Sequence, residues 1–543
     1  LRAGGENRQW IARRGPRIIA PEIAQTEEHG GRMADKFLHG VEVIEIDTGP
    51  RPIRTVRTGV IGIVGTAPDA AGATAATLTT GRSAINTEIV FTAASTGTAG
   101  NTITINLVDP GGETQALAVA VAGQAITVSL ATDVSGAITS TAEDVIDAVN
   151  ADAPAAALVT AAHGGASTGL GVVTPTRVAL ALSGGAAQPF PLNKPVLIAG
   201  SRTKAVGLDS TGNRQGTLPA ALDGIFDQIG AVVIVVRVEA GADEAETLAN
   251  VVGGVNAGTG AFEGVHALAG AESVVGFAPR ILCAPGFTHQ RPEGGANPVV
   301  AELLGIAERL RAVIIADGPN TTDEAAITYR GDWGSDRVFI VDPWVDVLDQ
   351  AGQVVTEPAS ARVCGMIARS DNDRGFWWSP SNQIVNGILN TARPVDFKLG
   401  DANSRANLLN EQGVATIIRQ DGYRLWGNRS AAADPKWAFL SVRRTADVIA
   451  ESLQQAHLWA VDRNITRTYV EDVTDGVNAF LRSLTAQGAI LGGRCWPDPD
   501  LNTPANITQG KIFFNFDFTP PYPAEHITFR SQLVNDYITE VFA

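Results

Sequence analysis

Catalysis and metal binding need reactive side chains held in sets, and this 543-residue chain offers seven histidines, three cysteines and a few paired carboxylates. His29, His39, His163, His266, His289, His457 and His526 are scattered, and no two share the spacing that lets imidazoles on one helix face hold a metal. Cys283, Cys364 and Cys495 form neither a CxxC pair nor a Cys/His cluster, which argues against zinc. A sparse, odd count fits a reducing compartment; one disulfide with a spare thiol is the alternative. Asp371/Asp373 and Asp498/Asp500 lie in polar, turn-like text and read as solvated loop ends. GxxxxGK[ST] does not occur, and Gly62-Ile63-Val64-Gly65 follows a strand without completing GxGxxG. Trp377-Trp378 beside Arg374 reads as a buried or interface anchor. No nucleophile, base and oxyanion donor assemble, so no catalytic, cofactor-binding or metal-ligating residue is assigned.

The totals narrow the class further. Lys+Arg 41 against Asp+Glu 57 gives a net charge of −16, which argues against a nucleic-acid surface. The longest apolar runs, such as Ala231 to Val236, fall far short of the ~20 residues that cross a bilayer. Residues 1–32 are polar, arginine-rich and broken by Gly and Pro, without the apolar core of a signal peptide. They read as an upstream extension with Met33 as a natural start, or as a flexible arm.

The elements that would position any site fall into distinct blocks. From about residue 188 the text alternates apolar strands with amphipathic helices. Strands are expected at 195–199, 231–238, 280–284, 312–316 and 338–341, with an earlier one at 59–65. Leu218, Leu222, Ile225 and Ile229 share one helical face, as do Val299, Leu303, Ile306 and Leu310 after an Asn297 cap and Pro298. Strands apolar throughout imply helices on both sheet faces. Residues 71–187 differ: Ala, Thr, Gly, Ser and Val dominate, short runs alternate with period two, and one helix is expected at 141–151 with Thr141 as cap. This reads as an inserted β-rich module. From 396 helices mix with a strand pair; Val473, Val477, Phe480, Leu481 and Leu484 form one face, and 511–518 is a strand with Phe514, Phe516 and Phe518 on one side. The last dozen residues fit either a strand or a helical stripe.

Near the start, Phe37, Val41, Val43, Ile44 and Ile46 form a strand-like run that ends at Gly49-Pro50 with no hairpin partner nearby. The Pro- and Arg-rich stretch that follows reads as extended linker. Several motifs then resemble the tail sheath proteins of contractile-tailed bacteriophages, most closely the P2-like type. They are F-L-H-G-V (37–41), G-T-A-P (65–68), P-F-P-L-N-K-P-V-L-I (189–198), R-G-F-W-W-S-P-S-N-Q-I-V-N-G-I (374–388) and R-P-V-D-F (393–397). A-N-L-L-N (406–410), D-G-Y-R-L-W-G-N-R (421–429), S-V-R-R-T-A-D-V-I (441–449) and F-T-P-P-Y-P-A-E-H-I-T-F-R (518–530) complete the set. The resemblance spans about 33–70 and 188–543, and the 71–187 module departs from the minimal pattern.

The resemblance implies an α/β and α+β multidomain subunit. Its parts would be an extension (1–32), an N-terminal arm and linker (33–58), a βα-layer core (59–70 with 188–395), the inserted surface module (71–187), a C-terminal domain facing the tail tube (396–525) and a C-terminal arm (526–543). The arm at 37–46 would pair with the Phe514/Phe516/Phe518 strand of a neighbour, alongside a C-terminal arm carrying Ile527, Phe529 and Tyr537. Implied partners are further copies in stacked hexameric rings, the tail tube protein, and baseplate and tail terminator proteins, with no nucleic acid, membrane insertion or cofactor. The subunit would be assembled in the bacterial cytoplasm and contract on baseplate triggering for genome delivery. The competing reading is an α/β enzyme with an accessory β-rich binding domain.

Overall fold

The computed structural model describes residues 52–349 and 351–542; the expected strand of Phe37, Val41, Val43, Ile44 and Ile46 lies outside them. The centre is an eight-stranded sheet of β-branched apolar runs: β1 (Val60–Thr66), β2 (Val196–Ala199), β3 (Val232–Val238), β4 (Ile281–Cys283), β5 (Val313–Asp317), β6 (Val338–Val341), β7 (Val414–Arg419) and β8 (Tyr423–Trp426). Their order is β8-β7-β6-β5-β4-β1-β3-β2. The six central strands are parallel, and β2 and β8 close the rims antiparallel. Successive side chains serve opposite faces. Ile61, Ile63, Val233, Val235 and Phe339 enter one core with α1 (Leu218–Phe226); Val60, Val64, Ile234, Val236 and Ile340 enter the other with α2 (Pro298–Leu310).

Two features depart from the sequence reading. The sheet does not stop at residue 395, because the run V-A-T-I-I-R of β7 pairs parallel with β6 and β8 folds back on it. Only the pairing partner reveals that these residues complete the layer. Helix α3 (Ser360–Arg374) was also illegible, since its text is polar and contains Gly365. That glycine is a packing requirement: a Cβ there would lie 2.7 Å from the Ile225 carbonyl oxygen, so it lets α3 press against the backbone of α1.

The stretch between β1 and β2 carries its own core. Strands Ala75–Thr80, Ile89–Thr96 and Val159–His163 form one sheet, and Ala118–Ala122, Ala125–Ser129, Thr104–Val108 and Leu180–Ala181 another. Ile89, Phe91, Ile105, Ile126 and Val128 pack on Val145 and Val149 of the helix Ala142–Ala151. Thr141 and Asp144 form a reciprocal capping box at its start. The two ends of the stretch are bonded to each other: Thr74 N donates to Ala186 O (2.9 Å) and Ala186 N to Thr74 O (3.2 Å). Ala71 N then donates to Gly207 O (2.8 Å), where the chain meets the main layer.

After the sheet come α4 (Leu440–Ala456), α5 (Arg467–Ala486) and a hairpin of β9 (Gly492–Pro497) with β10 (Phe514–Thr519). Val477, Phe480, Leu481 and Leu484 of α5 meet Ile449 of α4, Phe376 and Cys495 in a separate core. Beyond Thr519 the chain has no regular structure until a 3-10 turn at Asp536–Phe542, so the strand considered at 527–530 is absent. Because entry and exit of the module are stitched together and its core is its own, replacing 71–187 by a short Gly/Ser linker should leave the rest folded. Its thermal midpoint is expected within about 4 °C of the parent's, a shift worth ~1 kcal/mol for a domain of this kind. A lost cooperative transition in calorimetry would show that the main layer depends on the module.

Candidate assembly site

The hairpin is a two-stranded sheet with unequal rims. Register pairs Gly492 with Thr519, Cys495 with Phe516 and Pro497 with Phe514. Phe514 and Phe518 pack against the C-terminal core, whereas Phe516 is 40% exposed and stacks on Phe518 at 6.2 Å between ring centroids. On the β9 rim, the Asn478 side chain of α5 accepts from Cys495 N (2.8 Å) and donates to Cys495 O (3.0 Å). Cys495 therefore spends both backbone groups away from Phe516. In an antiparallel ladder this makes them a non-hydrogen-bonded pair, so Phe516 turns its own N–H and C=O outward. Among the described residues nothing is bonded to them. The aromatic strand expected from sequence is thus one element with an open edge; its partner G-G-R-C-W-P was missed because two glycines and a proline hide a strand.

Two stretches at the margins of this domain, 53–58 and 522–525, are clamped to it. Arg429 forms an ion pair with Glu525 through Nε–H (2.8 Å to Oε1) and lies over the Phe439 ring at 5.3 Å, which also meets Tyr522 edge-on. Past this clamp Ile527, Phe529 and Tyr537 are 66%, 91% and 70% exposed. At the other end, the segment read as a free linker is docked. Ile53 and Val56 pack on the C-terminal core, Val56 N donates to Ser452 Oγ (3.1 Å), and Arg444 donates to Thr58 O (3.3 Å). The sequence reading weighed its prolines and arginines and overlooked the two apolar residues between them.

The motif S-V-R-R-T-A-D-V-I turns out to be a seam. Arg337 of β6's approach pairs with Asp447 (2.7 Å), and Arg443 joins Asp447 (2.9 Å) and Asp336 (3.2 Å). Arg280 and Arg311 share Glu451 at 3.0 and 3.4 Å, and Arg444 Nη1 donates to Asp371 at 2.7 Å. Arg280, Arg337, Arg444 and Asp447 are buried and the others half-buried, so each charge depends on its partner, and the geometry fixes α4 against the ends of the sheet.

An enzyme of doubly wound type would keep its ligand beyond the carboxyl ends of the parallel strands. There, Asp317 accepts from Ser360 N (2.8 Å) and Ser360 Oγ (2.5 Å), capping α3, and Asp342 accepts from Asn320 N (2.7 Å) and pairs with Arg393. Both carboxylates are spoken for by the fold. Cys283, Cys364 and Cys495 are free, buried thiols, which leaves no disulfide among them. No group of three His, Cys, Asp or Glu among the described residues could hold a metal.

Burial pushes the Asp317 carboxyl up to about 6, against the hydrogen bonds from Ser360 and Thr288. The native state then holds a proton between pH 3.8 and about 6 that the unfolded chain has released, so stability falls as pH rises through that window. Asp317→Asn removes this dependence. Urea unfolding should show the variant gaining ~3 kcal/mol on the parent between pH 4 and pH 7; a pH-independent difference would refute the shift. Asp447→Asn leaves Arg337 and Arg443 underpaired in the seam, at an expected cost of about 3–5 kcal/mol. A loss below ~1 kcal/mol in the same assay would mean water already serves these charges.

The sequence pattern of the phage tail sheath protein central domain matches residues 260–431, ending just past β8, and that of the phage tail sheath C-terminal domain matches residues 432–534. A prophage major tail sheath protein of Pseudomonas aeruginosa (strain UCBPP-PA14) is 44% identical over 352 residues, 64% of this chain and 88% of that protein. The tail sheath protein of Escherichia phage P2 is 36% identical over 366 residues, 65% of this chain and 89% of that one. The contracted helical sheath of the anti-feeding prophage superposes with a TM-score of 0.49 at 20% identity, over 63% of this chain and 88% of that chain. Sheath domains across the C-terminal half, with relatives aligned over nearly their full length, settle the assignment: the chain belongs to the phage tail sheath protein family and is a structural subunit of a contractile tail sheath.

Proposed function

We propose that this subunit links to further copies by lending a strand to its neighbour, and that the linked lattice shortens to do work. The open β10 edge beside the exposed Phe516 carries the reading: it is a pre-formed template on which an extended segment gains backbone hydrogen bonds while its apolar side chains cover Phe516. The strand donor is 37–46, a run carrying the β-formers Phe37, Val41, Val43, Ile44 and Ile46; the apolar tail with Ile527, Phe529 and Tyr537 is the second donor. A head-to-tail contact of this kind does not close on a dyad, so it builds rings and open helices.

In this reading stacked hexameric rings surround the tail tube protein and are bounded by baseplate and tail terminator proteins. The parts are the arm and linker (33–58), the βα-layer core, the inserted surface module (71–187), a C-terminal domain facing the tube and the C-terminal arm (526–543). The subunit is assembled in the host cytoplasm, and baseplate triggering rotates subunits as rigid bodies into a shorter, wider lattice that drives the tube through the envelope for genome delivery. The charged seam and the clamped arm roots support rigid-body motion, since they leave the bending to segments outside the domains. No nucleic acid, membrane insertion, cofactor or catalytic step enters this scheme.

Deleting 34–47 tests it. The variant is expected to keep the parent's circular dichroism and melting yet fail to form long tubes in negative-stain micrographs, and normal tubes would remove the arm from the mechanism.

A further inference from the structure

Resting on the strand-lending reading above, we infer that Asn478 is a gate that makes the hairpin accept an incoming strand of a second copy on β10 alone. A two-stranded sheet has two rims, and either could recruit another strand. On β9 the middle residue, Cys495, has both its N–H and its C=O bonded by the Asn478 amide at 2.8 and 3.0 Å. An asparagine side chain offers the same acceptor and donor that a residue of a neighbouring strand would offer, so this amide occupies the position of the next strand. The strand is six residues long, and an incoming segment would lose its central pair of hydrogen bonds.

The same device appears elsewhere in the chain. On Val159–His163, the outer strand of the module's three-stranded sheet, Asn150 accepts from Ala161 N (2.9 Å) and donates to Ala161 O (2.8 Å). In both places an asparagine on the adjoining helix stands in for a missing strand. β10 has no such group: the outward N–H and C=O of Phe516 carry no partner among the described residues, and Phe516 is the exposed ring of its strand. The asymmetry has a consequence for assembly. One open rim per subunit gives one acceptor per subunit, and any second arm has to add outside the first. Two open rims would let hairpins join sideways into branched aggregates.

The test uses the full chain, kept unassembled by dilution, and a fluorescent peptide of residues 37–47. The parent should bind one peptide per subunit and Asn478→Ala two, while Phe516→Pro, which deletes the outward N–H, should bind none. One peptide on both parent and Asn478→Ala overturns the gate and leaves the strand-lending reading standing. A parent that binds no peptide defeats that reading itself. Should Asn478→Ala fail to fold, amide exchange on the unaltered subunit decides the matter. The Cys495 amide should exchange at least about tenfold more slowly than that of Phe516, and equal rates would sink the proposal.

Discussion

Backbone N–H and C=O groups at the rim of a sheet have to find partners, and the architecture of this subunit is organised around where they find them. The main layer closes its rims with the short antiparallel strands β2 and β8. Lys204 Nζ then donates to Leu197 O (2.7 Å) on β2, and residues 382–385 bond along β8 through Asn382 N to Leu425 O (2.7 Å) and Val385 N to Tyr423 O (2.8 Å). The β9 rim is closed by one asparagine. β10 is left open, next to an aromatic row that its own domain only half covers. Among the described residues that rim has no partner, which is the exposure the proposed strand-lending requires and which in a lone protein would be an aggregation hazard.

The second organising element is electrostatic. The arginine-rich face of α4 meets Asp336 and Asp371, while its own Asp447 and Glu451 receive Arg337, Arg280 and Arg311. Buried pairs of this kind add little net stability but are costly to break, so they act as registration pins between the α/β layer and the C-terminal domain. Arg444 extends the network to Thr58, and Arg429 holds Glu525. Residues 53–58 and Glu525 are therefore both held on the body.

The inserted module follows a different logic. Its hydrophobic core is complete in itself, its charged residues are few, and its two ends are hydrogen-bonded to each other where they meet the main layer. The host sheet's register runs on past this stretch, because β1 pairs with β3 along its length and with β4 at Ile61–Ile63.

Much of this was legible from residue order because it depends on local periodicity. The parallel strands, the helices at 218–226 and 298–310 with its Asn297 cap, the Thr141-capped helix and the aromatic strand all follow from side chains repeating at 2 or 3.6 residues. The sheath motifs were likewise strings of residues. What needed the tertiary structure is contact between residues far apart in the chain. β7 became part of the layer only through β6. Gly365 acquired its reason only from the Ile225 carbonyl, and Arg443, Arg444 and Asp447 became a seam only when partners from three other segments arrived. Periodicity records which way a side chain points, whereas the identity of the partner is settled by packing over hundreds of residues, and no local pattern encodes it.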